Sequence, residues 1–170
     1  MVKRLAAYIR LLLSTPRQRQ HLRSAALAVP YGAIALTIGL WAGLLEPGWP
    51  EWWEVFLIPP LLIFYPCLIE ETIFRGLLLR GVDQASASRK ILMVGASTIS
   101  FVAMHPLNHW LVGLSDTSTF TDPIFLLIVT LLGVTCAIQR IQTRSLWIPI
   151  ATHWATVVAW NLFLGRDLTL

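Results

Sequence analysis

Residues 55–80 read VFLIPPLLIFYPCLIEETIFRGLLLR, an apolar run whose charges before its final Arg80 are Glu70, Glu71 and Arg75. The run is long enough to cross a bilayer, since about 20 apolar residues span the hydrocarbon core. Each charge near the bilayer centre costs about 2.5–3.5 kcal/mol on insertion scales. Three of them within a few residues are tolerated only if they pair and face protein or water. The stretch therefore predicts a membrane-spanning helix with a buried polar site. Four more apolar runs have similar character: Ala25 to Leu45, Ile91 to about Gly113, Pro123 to Ile138, and Leu146 to Leu164. Together they predict an all-α, polytopic transmembrane helix bundle of about five spans.

Composition agrees. The 170 residues are 56% hydrophobic and 13% charged, against about 25% charged in an average soluble domain. Mean hydropathy is +0.67. So few charges cannot cover a soluble globule, and the same numbers exclude a disordered chain. A net charge of +4 orients loops in a membrane protein rather than marking a nucleic-acid binder. Cys67 and Cys136 lie in apolar runs and offer no disulfide framework or zinc ribbon. The chain divides into a basic cytoplasmic or interfacial segment (1–24), a first span with its outer loop (25–54) and a catalytic membrane core (55–170).

Loop charges set the orientation. Lys3, Arg4, Arg10, Arg17, Arg19 and Arg23 precede span one. Arg80, Arg89 and Lys90 lie between spans two and three, and Arg140 and Arg144 between spans four and five. Glu46, Glu51, Glu54, Asp116, Asp122 and Asp167 fall on the opposite side. The positive-inside rule then gives N-in and C-out. Trp41, Trp49, Trp52, Trp53, Trp110 and Trp160 gather toward the outer ends, where amphipathic rings sit at headgroup level.

The intramembrane polar residues are the candidates for chemistry. Glu71 and Arg75, spaced i, i+4, meet on one helix face, and such a pair can also serve helix packing alone. Glu70 points about 100° away and lacks a local cation, which leaves it for proton transfer. Span three adds His105, Pro106, Asn108 and His109; span five adds His153 and Asn161. A lone intramembrane histidine can also be a hydrogen-bonded packing residue. Counted from the inner ends at 1.5 Å per residue, Glu70 lies about 15 Å deep, His153 about 12 Å and His105 about 21 Å, which is overlapping depth. Two carboxylates and two imidazoles at one level suit water activation. Glu70, helped by His105, takes a proton from water, and His153 donates to the oxyanion. A zinc or other divalent ion on His105 and His109, spaced i, i+4, is the alternative. The sequence has no His-Glu-x-x-His, however, and Pro106 interrupts the pair, so no cofactor is expected. Buried Glu and His also build proton carriers, although no internal repeat is evident.

Glu70-Glu71-Thr72-Ile73-Phe74-Arg75 resembles the Glu-Glu-x-x-x-Arg motif of the CAAX prenyl protease 2-like (CPBP, or Abi) intramembrane endopeptidases. Phe101-Val102-Ala103-Met104-His105 is similar to their Phe-x-x-x-His motif, and Ser145 to His153 resembles the segment leading to the third-motif histidine. The resemblance implies a glutamate-type protease with Glu70 as base, His105 as its partner, His153 at the oxyanion and Glu71 and Arg75 in support. It implies a membrane-embedded or lipid-anchored peptide or protein as substrate, in a multi-pass protein of the plasma (cytoplasmic) membrane. The bilayer is the expected environment, with no nucleic acid and no particular oligomeric state. One position departs: Val157 stands where the family pattern has Asn. Asn161 or Asn108 is then the candidate donor in its place, and a catalytically weak scaffold protein is the competing reading.

The charge pattern makes a direct prediction. Reporter fusions at Arg89 and Arg144 should read cytoplasmic, and fusions at Asp116 and Leu170 should read external; a cytoplasmic C-terminus would overturn the orientation.

Overall fold

The structure, a computed structural model, describes residues 18–112 and 118–165 together with Ala6 and Ile9. All of its regular elements are helical. Among the described residues four helices are long and apolar enough to cross a membrane: His21–Trp41, Trp52–Gln84, Ala87–Asn108 and Pro123–Thr143. The chain is an integral membrane protein by this measure. The fifth expected segment is helical too, as Trp147–Ala159 continuing in wider turns through Trp160–Leu164. With Thr152, His153, Thr156 and Asn161 along it, it is not among the four. Most of the basic segment before residue 18, the outer loop around Asp116, and Arg166 and Asp167 lie outside the described residues.

The helix boundaries differ from the apolar runs for identifiable reasons. The first span starts earlier, at His21, and stops at Trp41 instead of Leu45. Gly43, at φ 70°, turns the chain left-handed, and the Leu44 and Leu45 amides bond back to the Gly39 carbonyl. That is a glycine C-terminal stop. The fourth span does not end at Ile138 but runs on to Thr143, closing with Arg144 in the left-handed region. The continuation contains Gln139 and Arg140, which look like a terminus in the sequence but are fully buried. Gln139 Nε2 donates to the Ser24 carbonyl (3.2 Å) and to Thr152 Oγ1 (2.9 Å), and Arg140 pairs with Asp83 at 3.5 Å. Asp83 also lies 3.8 Å from Arg144 Nε.

Pro123–Thr143 is the central helix. Half of its apolar window is buried, against 22% or less for the other three spans. Asp122 caps it, accepting from the Ile124 and Phe125 amides at 2.7 and 3.0 Å, with Pro123 at the first helical position. The third span packs along one side of it and the terminal helix along another, and the first span also packs against it. The main core gathers Tyr31 and Ala35 of the first span, Phe74 of the second, Phe101 of the third and Phe125, Ile128, Val129, Leu132 and Cys136 of the central helix.

The second span is not one regular helix. Trp52–Leu62 is α-helical, with Glu51 and Glu54 forming a capping box at its start. Ile63–Leu68 and Thr72–Leu77 are π-type turns on either side of the short α-helical turn Ile69–Glu71. Tyr65 is extended, at φ −136° and ψ 123°, beside Pro66. Proline has no N–H and displaces the preceding turn, and a break at this depth needs outside partners. One bond comes from the terminal helix, where Trp154 Nε1 donates to the Pro59 carbonyl at 2.8 Å. Ile69, Ile73 and Leu77 remain exposed on the outer face, while Glu70, Glu71, Phe74, Arg75 and Gly76 turn inward.

Candidate active site

The inward face of the second span presents Glu70 and Glu71 from one α-helical turn and Arg75 from the wide turn that follows. Glu71 and Arg75 are fully buried. Arg75 Nη1 lies 3.1 Å from Glu71 Oε1, the i, i+4 pair that the spacing predicts. The guanidinium is held on two more sides. Nη2 donates to the Gly133 carbonyl of the central helix at 3.2 Å, and the charge lies 4.2 Å from the Phe101 ring centroid, within cation–π range.

Glu71 Oε1 serves a second cation-capable group. His153 Nδ1 lies 3.0 Å from it. Because Glu71 is ion-paired and can only accept, Nδ1 carries the proton and donates. The other ring nitrogen, Nε2, then points to Glu70, with Oε2 at 3.8 Å. Glu70 Oε2 is buried and makes no protein hydrogen bond. The four side chains form one series: Gly133 carbonyl, Arg75, Glu71, His153, Glu70.

His105 joins this group indirectly. Its Nδ1 lies 3.0 Å from the Phe101 carbonyl; a carbonyl only accepts, so the proton sits on Nδ1 and Nε2 keeps its lone pair. The Phe101 ring is edge-on to His105 (centroids 5.2 Å), to His153 (5.6 Å) and to Phe74 (5.3 Å). Level depth therefore describes Glu70, Glu71 and His153, whereas His105 stands a turn beyond Phe101. The helix carrying it begins at Ala87, a turn before Ile91, which sets His105 about 27 Å along it. Phe120 and Phe125 also pack around the His105 ring.

The candidate replacement donors are placed less centrally. Asn108 is exposed. Asn161 Nδ2 donates to the Val157 carbonyl of its own helix at 2.8 Å. The Val157 side chain packs against the cluster of Cys67, Leu146 and Ile150, on the side facing the second span. The His109 side chain lies outside the described residues. Among the described residues no group of three or more His, Cys, Asp and Glu is arranged to hold a metal ion. The donor set also fits one poorly: Nδ1 of both described imidazoles is bonded to a protein acceptor, and Glu71 Oε1 is shared with a guanidinium.

Sequence reasoning did not single out Gly133 or give Phe101 a role beyond its motif. Gly133 left a signal, because glycine inside a helix costs about 1 kcal/mol relative to alanine. Phe101 left none, being one more apolar residue in an apolar helix.

Comparison with known proteins returns one family and nothing nearer. No curated protein and no solved structure matches the chain. The family model for type II CAAX prenyl endopeptidase Rce1-like proteins matches residues 50–159. The match opens before the second span and closes at the end of the terminal helix, so Glu70, Glu71, Arg75, His105 and His153 all fall inside it, and the first span falls outside. As this is more than half of its length, the chain belongs to the Rce1-like family of CAAX-type membrane proteases.

Proposed function

We propose that the protein is an intramembrane endopeptidase that hydrolyses a peptide bond of a membrane-embedded or lipid-anchored protein with a water activated by Glu70 and His105. The observation that carries this reading is the oriented histidine. His153 is fixed by Glu71 on one nitrogen and turns the other toward a buried carboxylate oxygen without a protein bond. A gap of 3.8 Å exceeds a direct hydrogen bond and suits a bridging water. Charge balance supports the assignment. With Glu71 and Arg75 cancelling, the low-dielectric site is neutral when Glu70 and His153 are both ionised or both neutral.

The chemistry follows from these positions. Glu70 takes a proton from water while the lone pair of His105 Nε2 accepts the second hydrogen and aims the oxygen. The hydroxyl attacks the peptide carbonyl carbon. His153, as imidazolium, donates from Nε2 to the developing oxyanion, the position where a donor contributes most. Glu70 returns its proton to the leaving nitrogen, so water is consumed and an acid and an amine are released. The aromatic wall of Phe101, Phe120 and Phe125 excludes bulk water around His105. We place the protein N-in and C-out in the plasma (cytoplasmic) membrane, with the terminal helix as its last crossing.

Three outcomes test this reading, each on detergent-purified protein and a library of membrane peptides. Glu70→Gln and His105→Ala should each lower cleavage by at least about 100-fold, and full turnover by Glu70→Gln would refute Glu70 as the base. Glu71→Gln should instead reduce folded yield, because it strips the buried Arg75 of its counter-charge.

Chelation with EDTA should leave turnover unchanged, and His109→Asn should be tolerated. A stoichiometric metal lost together with activity would restore the metalloprotease alternative.

Val157→Asn should raise turnover. It adds a donor one helical turn from His153, on the side facing the second span, and an oxyanion donor contributes about 2.7–4 kcal/mol. Asn161→Ala should change little, since its amide is bonded to its own helix. A large loss in Asn161→Ala with no gain in Val157→Asn, read in single-turnover assays, would assign the oxyanion role to Asn161.

A further inference from the structure

Gly133 sits inside the central helix, where alanine would be the better helix former. Its surroundings account for the choice. A Cβ there would stand 3.0 Å from Thr98 Cγ2, 3.3 Å from Arg75 Nη2 and 3.4 Å from Phe101 Cδ1. The Gly133 carbonyl accepts from Arg75 Nη2. Arg75 in turn pairs with Glu71 Oε1, the oxygen that accepts from His153 Nδ1. The bare α-carbon therefore stands at one end of a series of contacts whose other end is His153 Nε2, 3.8 Å from Glu70.

We propose that Gly133 is a positioning residue for the hydrolytic site. It gives the Arg75 guanidinium both a carbonyl to bond and the room to reach it. Arg75 so placed fixes Glu71, and Glu71 fixes the ring of His153 with Nδ1 toward itself and Nε2 toward Glu70. The inference rests on the hydrolytic reading of the site. A methyl at 133 is wedged between the third span, carrying Thr98 and Phe101, and the Arg75 side chain of the second. What it displaces on the Arg75 side is passed to His153. Displacement of about 1 Å at reacting groups costs about 100-fold in rate; a methyl that intrudes by a few tenths of that should lower kcat about tenfold. KM should stay within about twofold, because the loss is in the transition state alone. Thr98→Ser deletes Cγ2, the nearest atom, and opens the opposite side of the wedge. It should be neutral alone and should recover most of the loss when combined with Gly133→Ala.

The experiment compares wild type, Gly133→Ala, Thr98→Ser, the double variant and Glu70→Gln on one peptide that wild type cleaves. In parallel, ¹⁵N-histidine spectra of the same detergent samples are recorded, with His153→Asn to identify the His153 signals. The expected result is a lowered kcat and a weakened Nδ1–H signature of His153 in Gly133→Ala, both restored in the double variant. An unchanged His153 signature in Gly133→Ala overturns the proposal whatever the rate does. If Gly133→Ala does not fold, the double variant decides: it must fold with the wild-type signature, and failure to do so overturns the proposal. If wild type cleaves no peptide, the hydrolytic reading is what fails, and the His153 signature still decides the role of Gly133.

Discussion

A guanidinium with no exposed surface must be neutralised where it stands, and Arg75 imposes that condition on everything around it. Its ion pair with Glu71 removes the net charge, the Gly133 carbonyl takes a second edge, and Phe101 covers its face. Each partner comes from a different part of the bundle, so Arg75 ties the second, third and central helices to one point. The desolvation of such a pair is expensive, and breaking it by removing one partner typically costs about 3–5 kcal/mol. A pair like this is poor evidence for stability. Here its use is geometric: the oxygen that neutralises Arg75 also orients His153, so the structural charge and the chemical group share one atom.

The central helix makes this convergence possible. It supplies the carbonyl for Arg75 near its middle, and the buried Gln139 and Arg140 near its inner end. Gln139 reaches both the first helix, at Ser24, and the terminal helix, at Thr152, the residue before His153. The polar contacts thus lie in two layers, one at the candidate site and one at the inner surface. Between and around them the packing is aromatic and aliphatic. Without water in the surrounding lipid, each of these groups needs a partner inside the protein.

What the sequence could reveal followed from cost. Glu70, Glu71, Arg75, His105 and His153 stand out because charge and imidazole are conspicuous in apolar runs, and their spacing carried the family resemblance. Phe101 and Gly133 were silent as actors because apolar and small residues are ordinary in a membrane helix. Helix ends were misplaced where polarity and burial part company: Gln139 and Arg140 read as a loop yet lie at 0% exposure. The wide turns of the second span were not legible, since no side-chain period announces them. The depth argument placed His105 level with His153 because it counted from Ile91, one turn inside the true start of that helix.

Those wide turns have a bearing on how this chain can vary. A π turn holds one residue more than an α turn, and Ile63–Leu68 lies just ahead of the paired glutamates. Loss of one residue there would rotate everything beyond it by about 100°, bringing Glu71 to the bearing of Glu70 and swinging Arg75 away from the central helix. Ile69, Ile73 and Leu77, which face outward, would turn toward the core. The lipid-facing side of this span is thus free to exchange one apolar residue for another, yet the span has no freedom in length. Its history should record many substitutions and almost no insertions or deletions, a pattern set by phase rather than by chemistry.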